Sequence, residues 1–444
     1  MTATAIEISS KEVERLCQKY FSQEHEPEAK ESSTDNHFQI NIIRYQLQSI
    51  SDNTSGFFGH HRFLVVDVQL IYKNDADGQE SRTFNRIRFF TKTAPVENAS
   101  RMDYLEEFGV FKKEIMVYRD VLPQLEKICP GIFPKCYYAN TNLLVFEELQ
   151  QKGYKMAAAR DGLLDYEHLK CAVKSLASLH AASIVFEVKQ NQKVNRTYPL
   201  ATKEDCYPEN LEPKHVRYQN FANGIKVFGE LIKQMPKYKE QTDFLLSQLK
   251  PKMSIIFQLA QPSKEFRNVF CHGDLWANNL MFKYANGNDK PTQCCFVDFQ
   301  LSRYAPPMLD LITLLTIPTS QQFRSAYLIK LLANYYDFMT EFLKREHLNI
   351  DNFLSRTEFW QTFELYRICG LIESCFFCHL ILLPPESTES LTSSADGFSD
   401  FFARKRVEIC LKAFQTDEIY RQRLTDMLED FVDNYILEKE GKRV

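Results

Sequence analysis

The chain has 444 residues, of which 44% are hydrophobic and 13% aromatic, and its formal net charge is −4. This length and composition suit a globular protein with two domains or lobes, and they exclude extensive disorder. The isoelectric point near 6.3 comes without a block of basic residues, so no nucleic-acid partner is expected.

The sequence also restricts the compartment. Its first residues lack a charged segment followed by an apolar one, so no secretory signal is expected and a cytoplasmic location is predicted. The longest continuous apolar run, Phe376 to Leu383, is far shorter than the roughly 20 residues that span a bilayer, so no membrane partner is expected. The 12 cysteines follow no regular spacing, which is typical of reduced, buried thiols.

One cysteine motif invites a different interpretation. Cys375, Cys378 and His379 match the haem-attachment pattern Cys-x-x-Cys-His. Covalent haem attachment would require export, which the N-terminal residues do not support. The motif also lies within an apolar, helix-like run, where cysteine behaves as a small hydrophobic residue, so a structural role is predicted.

In chain order, the elements predict a small β-rich lobe followed by a large helical lobe, an α+β fold. Residues 1–36 are predicted to form an amphipathic helix, from Ile8 to Tyr20, and a polar linker. Residues 37–149 contain three strand-like runs, a helix that Pro123 is expected to stop, and two short runs. Residues 150–444 show long helical patterns. The predicted helices of that part cover 165–183, 214–234, 240–259, 307–316, 321–345, 357–383 and 401–437.

The most informative motif runs from His272 to Asn279 as His-Gly-Asp-Leu-Trp-Ala-Asn-Asn, and Val-Asp-Phe-Gln follows at 297–300. It places two carboxylates and an amide at the ends of two apolar, strand-like runs. Phosphoryl transfer from a nucleotide needs such a set. Asp274 would align the acceptor hydroxyl and accept its proton, while Asn279 and Asp298 would hold Mg²⁺.

Each of these residues has an ordinary explanation. Asp, Asn and Gly are common in turns, and an aspartate after a strand is often only a helix cap. The combination of His-Gly, the flanking strands and the second strand ending in Asp-Phe-Gln favours the catalytic interpretation. His272 itself is predicted to be structural, since no further ligand lies around it at zinc spacing.

A nucleotide site built from two lobes also needs a lysine on the third strand and a helix glutamate that holds it. The third strand-like run ends at Lys92, and Glu114 lies in the next helix. Taken singly, they could be a solvated strand end and a surface charge. Their order relative to Asp274, Asn279 and Asp298 favours an ion pair that contacts the phosphates of the nucleotide.

Together these motifs resemble the ecdysteroid kinase-like family of insect small-molecule kinases, which are related to choline and aminoglycoside kinases. The resemblance rests on the motifs at 272–279 and 297–300, on Phe-Lys-x-Glu-x-x-x-Tyr-x-x-Val-Leu-Pro at 111–123, and on Leu-Ala-Ser-Leu-His-Ala-Ala-Ser at 176–183. It covers residues 38 to 433. It implies a two-lobed, protein-kinase-like fold, the cofactors ATP and Mg²⁺, and phosphorylation of a hydroxyl on a small molecule, possibly an ecdysteroid or a dietary steroid or xenobiotic.

The resemblance also implies residue roles. Asp274 resembles the catalytic base, and Asn279 and Asp298 resemble the metal ligands. The nucleotide-binding set includes the strand lysine with its helix partner, and a hinge whose backbone groups contact adenine. That set is Lys92, Glu114, Glu147, Glu148 and Leu149. Asp310 resembles a loop-fixing aspartate rather than a catalytic one.

Two other functions compete with a kinase. One is a catalytically silent nucleotide- or ligand-binding module of the same fold, which would not need Lys92, Asp274, Asn279 and Asp298 together. The other is a metal-dependent phosphoesterase. This function is disfavoured because the sequence does not offer the additional His and Asp ligands that a two-metal site requires. A protein-kinase role is disfavoured because Gln300 stands where Gly usually follows Asp-Phe. The sequence identifies neither the acceptor molecule nor the oligomeric state.

Overall fold

The structure is a computed structural model that describes residues 8–24, 38–50, 59–73, 79–95, 99–157, 159–209, 211–285, 289–393 and 397–437. The chain divides into two compact units. The first comprises residues 1–105 and 134–152, and the second comprises residues 106–133 and 153–444. The lobe boundary that the sequence suggests, between residues 149 and 150, stays a prediction.

The first unit is built on a five-stranded antiparallel sheet. Its strands, in the spatial order β1-β2-β3-β5-β4, are β1 (Phe38–Ser49), β2 (His60–Lys73), β3 (Glu80–Thr93), β4 (Cys136–Ala139) and β5 (Leu143–Glu147). Helix α1 (Ser10–Glu24) precedes the sheet, and helix α2 (Ala99–Phe108) follows β3 and ends beyond the unit boundary. The strands confirm the antiparallel arrangement predicted from the sequence.

Alternation of side chains explains the core of this unit. Leu64, Val66, Val68 and Leu70 of β2 lie on one face of the sheet, as the period of two requires. The predicted apolar stripe of α1, which includes Val13, Leu16 and Cys17, is buried in the same cluster. The N-terminal helix is therefore confirmed, whereas the linker predicted after it lies within residues 25–37, outside the described residues.

The second unit is largely helical. Its helices are α3 (Val110–Met116), α4 (Leu122–Glu126), α5 (Tyr166–Gln190), α6 (Val194–Thr197), α7 (Val216–Lys233), α8 (Thr242–Met253), α9 (Ile256–Leu259), α10 (Pro307–Thr316), α11 (Gln321–Arg345), α12 (Arg356–Ile381), α13 (Pro385–Ser393), α14 (Gly397–Asp400), α15 (Arg406–Thr416) and α16 (Glu418–Phe431). Short 3₁₀ turns occur at Pro236–Gln241, Ala277–Asn279 and Ile350–Asn352, and π-helical turns occur at Val117–Val121, Phe401–Lys405 and Val432–Ile436.

Two small antiparallel sheets carry the motifs of the second unit. One pairs β7 (Val269–Cys271) with β10 (Arg303–Ala305), and the other has the order β6-β8-β9. The strands of the latter are β6 (Tyr154–Met156), β8 (Leu280–Tyr284) and β9 (Pro291–Phe296). These strands leave residues 272–279 and 297–302 as connecting segments.

Helix α5 is the central helix of the second unit. Asp165 caps its N-terminus by accepting a hydrogen bond from the His168 amide, as the sequence predicts. By length and composition, α5 could cross a membrane, but 78% of its most apolar window is buried inside the protein. A buried core helix has this composition too.

Three boundary predictions were wrong. The helix predicted at 240–259 is divided into α8 and α9. Pro123 was expected to stop a helix, but it lies in the first turn of α4, where proline is tolerated because the amide it lacks has no helical partner. The single helix predicted from 401 to 437 is interrupted at Asp417, whose extended backbone and side chain cap α16.

The Cys-x-x-Cys-His segment lies inside α12 and is buried, which supports its structural interpretation.

Candidate active site

The segment that carries Asp274, residues 272–302, begins and ends at the buried two-stranded sheet of β7 and β10. Strand β7 ends at Cys271, and β10 begins at Arg303, directly opposite it in the antiparallel register. His272 therefore leaves this sheet close to where Ser302 returns to it. Both strands are fully buried, so the two ends of the candidate catalytic segment are fixed by the core of the second unit.

Asp310 of α10 holds the start of this segment. One oxygen of its carboxylate accepts the His272 amide at 2.5 Å, and the other accepts the Gly273 amide at 3.0 Å. Burial alone would raise the pKa of Asp310, but the hydrogen bond and charge of His180 and the charge of Arg303 hold that pKa below its usual value. The geometry is that of a loop-fixing residue.

Gly273 is the one position of the turn that excludes every other residue. Its φ angle is +82°, in the region that side chains rarely adopt, and a Cβ placed there would lie 2.0 Å from the carbonyl oxygen of Leu301. The backbone of 272–274 thus packs directly against the backbone that follows Asp298. Only glycine allows this approach.

Asp274 and Asn279 lie in direct contact. The side-chain amide of Asn279 donates to the Asp274 carbonyl at 2.8 Å, and both residues are buried. Because the nitrogen of this amide is oriented by that bond, its oxygen is the atom that can take a cation. Gln300 donates to the Asp274 carboxylate at 3.4 Å, so the residue that replaces the usual glycine contacts the predicted base.

Asp298 is held in an uncommon backbone conformation next to these residues. Its φ angle is +66°, which aspartate adopts more readily than most residues. The amide of Val297 donates to the Asn279 carbonyl at 3.1 Å, and the amide of Asp298 donates to the Tyr118 hydroxyl at 3.2 Å. Asp298, the second predicted metal ligand, therefore directly follows a residue that is hydrogen-bonded to Asn279, the first predicted ligand.

His272 connects the two segments as a neutral ring. Its Nε2 lies 3.0 Å from the Val297 carbonyl, which can only accept, and its Nδ1 accepts the Asp274 amide at 3.2 Å. Burial lowers the pKa of His272, which favours the same neutral form. The ring also contacts Phe299, with centroids 4.3 Å apart. These contacts are structural, as predicted from the sequence.

The predicted nucleotide-binding residues of the first unit lie on β3 and at or after the end of β5. Lys92 pairs in register with Leu144 and is buried. The carboxylate of Glu147 accepts the Lys135 amide and contacts Lys152 Nζ at 2.6 Å, and Glu148 forms a two-pronged ion pair with Arg88. Both carboxylates are thus used within the unit.

Aromatic side chains surround Phe90, which lies on the same face of β3 as Lys92 because the two are separated by one residue. Its ring is 5.2 Å from that of His61, 6.2 Å from Phe63 and 6.4 Å from Phe146, measured between centroids. Flat apolar rings of this kind can stack on a heterocyclic base.

Glu114, the predicted partner of Lys92, is a buried residue of α3 in the second unit. The structure thus brings Asp274, Asn279 and Asp298 together, because Asn279 is hydrogen-bonded to Asp274 and Val297, the residue before Asp298, is hydrogen-bonded to Asn279. The ion pair between Lys92 and Glu114 stays a prediction.

Several residues of the site were missed from the sequence. Tyr118 lies in the run at 111–123 that carried the resemblance, but its contact with Asp298 crosses 180 positions of the chain. Arg303 is fully buried and donates to the Gly273 carbonyl at 3.1 Å. An arginine that opens an apolar strand could have been noticed, because buried arginines are almost always paired.

Among the described residues, His180, Cys271 and Asp310 form a further group whose ligand atoms lie within 4.8 Å of one another. These atoms already have partners in the protein. Both oxygens of Asp310 accept backbone amides, and the Cys271 thiol lies 3.5 Å from the Ala305 carbonyl. Burial, followed by the charge of Asp310, raises the pKa of Cys271 well above its usual value, which disfavours the thiolate that a metal would require. We assign this group to the support of the turn.

An antiparallel sheet near the N-terminus, a largely helical remainder and an Asp-Asn-Asp constellation on two hydrogen-bonded segments are consistent with the kinase-like class of proteins. The sequence model of the ecdysteroid kinase-like family matches residues 64–348, more than half of the chain, and the chain belongs to that family. The resemblance seen in the motifs is thereby confirmed. No curated protein matches the chain. Membership supports a phosphotransferase in general.

Proposed function

We propose that this protein is a cytoplasmic, ATP-dependent phosphotransferase that phosphorylates a hydroxyl of a small molecule, with ecdysteroids and dietary steroids or xenobiotics as the candidate acceptors. The observation that carries the proposal is the hydrogen bond from Asn279 to the Asp274 carbonyl, together with that from Val297 to Asn279. These two bonds join the segment that carries Asp274 and Asn279 to the segment that carries Asp298.

The donor set fits Mg²⁺. A carboxylate and an amide oxygen are hard ligands of the kind that Mg²⁺ takes alongside phosphate oxygens and water. In the proposed site, Asn279 and Asp298 hold this ion, which when bound neutralises charge on the phosphates of ATP. The buried positions of Asn279 and Asp274 support a preorganised arrangement, since neither side chain then needs to be ordered on binding.

The residues of this chain then have distinct tasks. Asp274 aligns the acceptor hydroxyl and takes its proton as the oxygen attacks the terminal phosphorus of ATP, while the bond from that phosphorus to the bridging oxygen breaks and ADP leaves. Gln300, which donates to one oxygen of Asp274, keeps the carboxylate in a single orientation. Lys92, oriented by Glu114, binds the phosphates that remain on the nucleotide.

The base of the nucleotide is proposed to contact backbone groups of Glu147 to Leu149. Two observations within the first unit support this proposal. The side chains of Glu147 and Glu148 are occupied by Lys152 and Arg88, so backbone groups are the natural contacts. The aromatic face around Phe90 lies on the side of β3 that carries Lys92, where a purine could stack.

The proposal is tested by incubating the purified protein with Mg-ATP and a panel of steroids, cholines and aminoglycosides. Mass spectrometry then detects phosphorylated products. We expect a phosphate ester of one acceptor class, and its absence when the metal is chelated or when Asp274 is replaced by Asn. Binding of Mg-ATP without any product across the panel would favour a silent binding module and contradict the proposed activity.

A further inference from the structure

Arg303 lies behind the candidate catalytic turn and touches three separate parts of the second unit. Only 1% of its surface is exposed. One terminal nitrogen lies 3.1 Å from Glu204 Oε2, while the other lies 2.7 Å from Glu373 Oε1 and donates to the Gly273 carbonyl at 3.1 Å. A single buried cation thus joins the residue before Asp274 to two carboxyl groups.

The two carboxyl groups have different contacts. The Thr313 hydroxyl has one hydrogen, which it donates to the Leu309 carbonyl at 2.8 Å, an atom that can only accept. The same hydroxyl contacts Glu373 Oε2, and when its hydrogen is directed to the Leu309 carbonyl, a protonated Glu373 supplies the hydrogen for this contact. Burial raises the pKa of Glu373 even though the charge of Arg303 opposes it, which agrees with a carboxylic acid at this position.

Glu204 has the contacts of an ionised carboxylate. Its Oε1 accepts the amides of Cys206 at 2.5 Å and Tyr207 at 2.8 Å, and its Oε2 faces Arg303. All of these partners are donors, so no proton is needed on Glu204. The positive charge of Arg303 is then balanced by Glu204, while Glu373 stays neutral.

The surrounding elements fix Arg303 in this position. Gly370 lets α12 approach α10 closely, because a Cβ at that residue would lie 2.6 Å from Thr316 Oγ1, and this contact brings Glu373 against Thr313 one turn further along. On the other side, the Ser302 hydroxyl donates to the Ala201 carbonyl at 2.8 Å.

The segment that contains Glu204 is anchored to the same region. The buried Lys113 ammonium donates to the carbonyls of Lys203 and Ser302 at 2.6 Å and 3.0 Å and pairs with Asp205 at 2.7 Å. Glu204 and Arg303 are therefore each flanked by a residue that this lysine holds. Their separation is fixed by the backbone as well as by charge.

We propose that Arg303 is a positioning residue for phosphoryl transfer: it holds the Gly273 carbonyl, and with it Asp274, with Glu204 as its counter-charge and Glu373 as a neutral hydrogen-bonding acid. This inference rests on the proposed function of Asp274. Arg303 itself does not touch the reacting atoms. Its effect should fall on turnover rather than on nucleotide binding.

Two matched substitutions separate the roles of the carboxyl groups. Glu373→Gln keeps an oxygen for Arg303 and an N–H for Thr313, so kcat should stay within about twofold of wild type. Glu204→Gln removes the charge that balances Arg303, so kcat should fall by about tenfold or more while KM for Mg-ATP changes little, since small displacements of a catalytic group are costly. Equal losses in the two variants, or a loss confined to KM, would overturn the proposal.

Arg303→Lys tests the positioning role directly. A lysine ammonium is a compact charge that cannot reproduce the planar fork reaching Glu204, Glu373 and the Gly273 carbonyl together. We expect a fall in kcat similar to that of Glu204→Gln, with unchanged KM for Mg-ATP. Wild-type kcat in this folded variant would show that Arg303 does not position the turn.

The protonation state has its own readout, which needs no substrate. A carboxyl group whose pKa is higher in the folded than in the unfolded chain contributes stability below the unfolded pKa, and this contribution is lost as the pH rises through the folded pKa. Glu373→Gln removes that loss. The melting temperature of Glu373→Gln relative to wild type should therefore increase between pH 5 and pH 8. A melting-temperature difference that stays constant over this range would show that Glu373 is ionised.

Failure of this inference can be distinguished from failure of the proposed function. Amide hydrogen exchange of residues 272–276, measured without ligand, should be faster in Glu204→Gln and Arg303→Lys but not in Glu373→Gln. If wild type forms no phosphorylated product, these exchange rates still decide whether Arg303 holds the turn. If product forms and exchange is unchanged in every variant, the positioning role is wrong while the activity stands.

Discussion

The two units differ in how their predicted site residues are organised. In the second unit, Asp274 and Asn279 contact each other directly, and Asp298 follows a residue that is hydrogen-bonded to Asn279. In the first unit, Lys92 lies on β3 and the hinge residues lie at and after the end of β5, while the face of β3 opposite Lys92 packs with α1. The predicted catalytic and metal-binding residues are thus supported by direct contacts in the structure. The assignment of the nucleotide-binding residues rests on their order along the chain.

The largest effect on turnover is expected from substitution of the predicted catalytic base. Asp274→Asn retains the shape of the side chain but removes the proton acceptor, so kcat should fall by about 10²–10⁴-fold while the melting temperature stays close to wild type. Turnover is measured with the acceptor found by the product assay. The exposed Asp351→Asn serves as a control and should behave as wild type. Unchanged turnover in Asp274→Asn would show that Asp274 is not the base.

A second large effect concerns the metal ligand. Asp298→Asn is preferable to alanine because asparagine also tolerates the positive φ angle of this position. Loss of the carboxylate should abolish activity and weaken the affinity for Mg-ATP, as measured by calorimetry, whereas the affinity for ATP without metal should match that of wild type. An unchanged affinity for Mg-ATP would contradict the assignment.

The third prediction addresses the first unit. Lys92→Ala and Glu114→Ala should each lower kcat/KM, and the double variant should be little worse than the poorer single one, because residues that act as a unit give non-additive losses. Lys92→Arg should not restore activity, because a planar guanidinium presents its charge differently. The exposed Lys112→Ala, on the same helix as Glu114, is the control. If the losses in kcat/KM of the two single variants multiply in the double variant, the ion pair is refuted. The assignment of Asp274, Asn279 and Asp298 would not be affected by that result.

The smallest effect concerns stability. His379 is buried, its Nδ1 lies 2.7 Å from the Cys375 carbonyl, and its Nε2 accepts from Arg406 at 2.8 Å. Burial and then the charge of Arg406 hold the pKa of His379 well below its usual value, so the unfolded chain binds a proton that the folded chain does not.

The free energy of unfolding should therefore decrease as the pH falls below about 6.5, by up to about 1.4 kcal/mol per pH unit from this histidine. His379→Gln should reduce the slope by one proton in denaturation curves recorded between pH 7 and pH 5. The exposed His215→Asn should leave the slope unchanged. An identical slope in wild type and His379→Gln would show that this ring does not resist protonation.

Sequence reasoning succeeded where the physical signal is local. Runs rich in β-branched and aromatic residues predicted β1 to β3, and helical spacing with a capping residue predicted α5. The helical patterns at 307–316 and 321–345 match α10 and α11. The motif at 272–279 also identified a turn at the end of a strand. In each case the determining residues lie within a few positions of one another.

It failed where the determining contacts are distant in the sequence. Pro123 was misjudged because its tolerance depends on lying within the first turn of α4. The positive φ angle of Asp298 is fixed by neighbours such as Tyr118, which no local pattern reveals. Arg303 was overlooked because its carboxyl partners lie 99 and 70 positions away along the chain.

The partners of Arg303 have a consequence for how the protein is made. The guanidinium needs residues near positions 204, 273 and 373, and the last of these is synthesised well after the catalytic turn itself. Contacts between such distant positions form late, because a long loop has to close before they can contribute. A nascent chain released from the ribosome up to the end of α11 would therefore contain every predicted catalytic and metal-binding residue and still lack the brace that orders the turn. On this view, phosphotransferase competence begins only when α12 has docked.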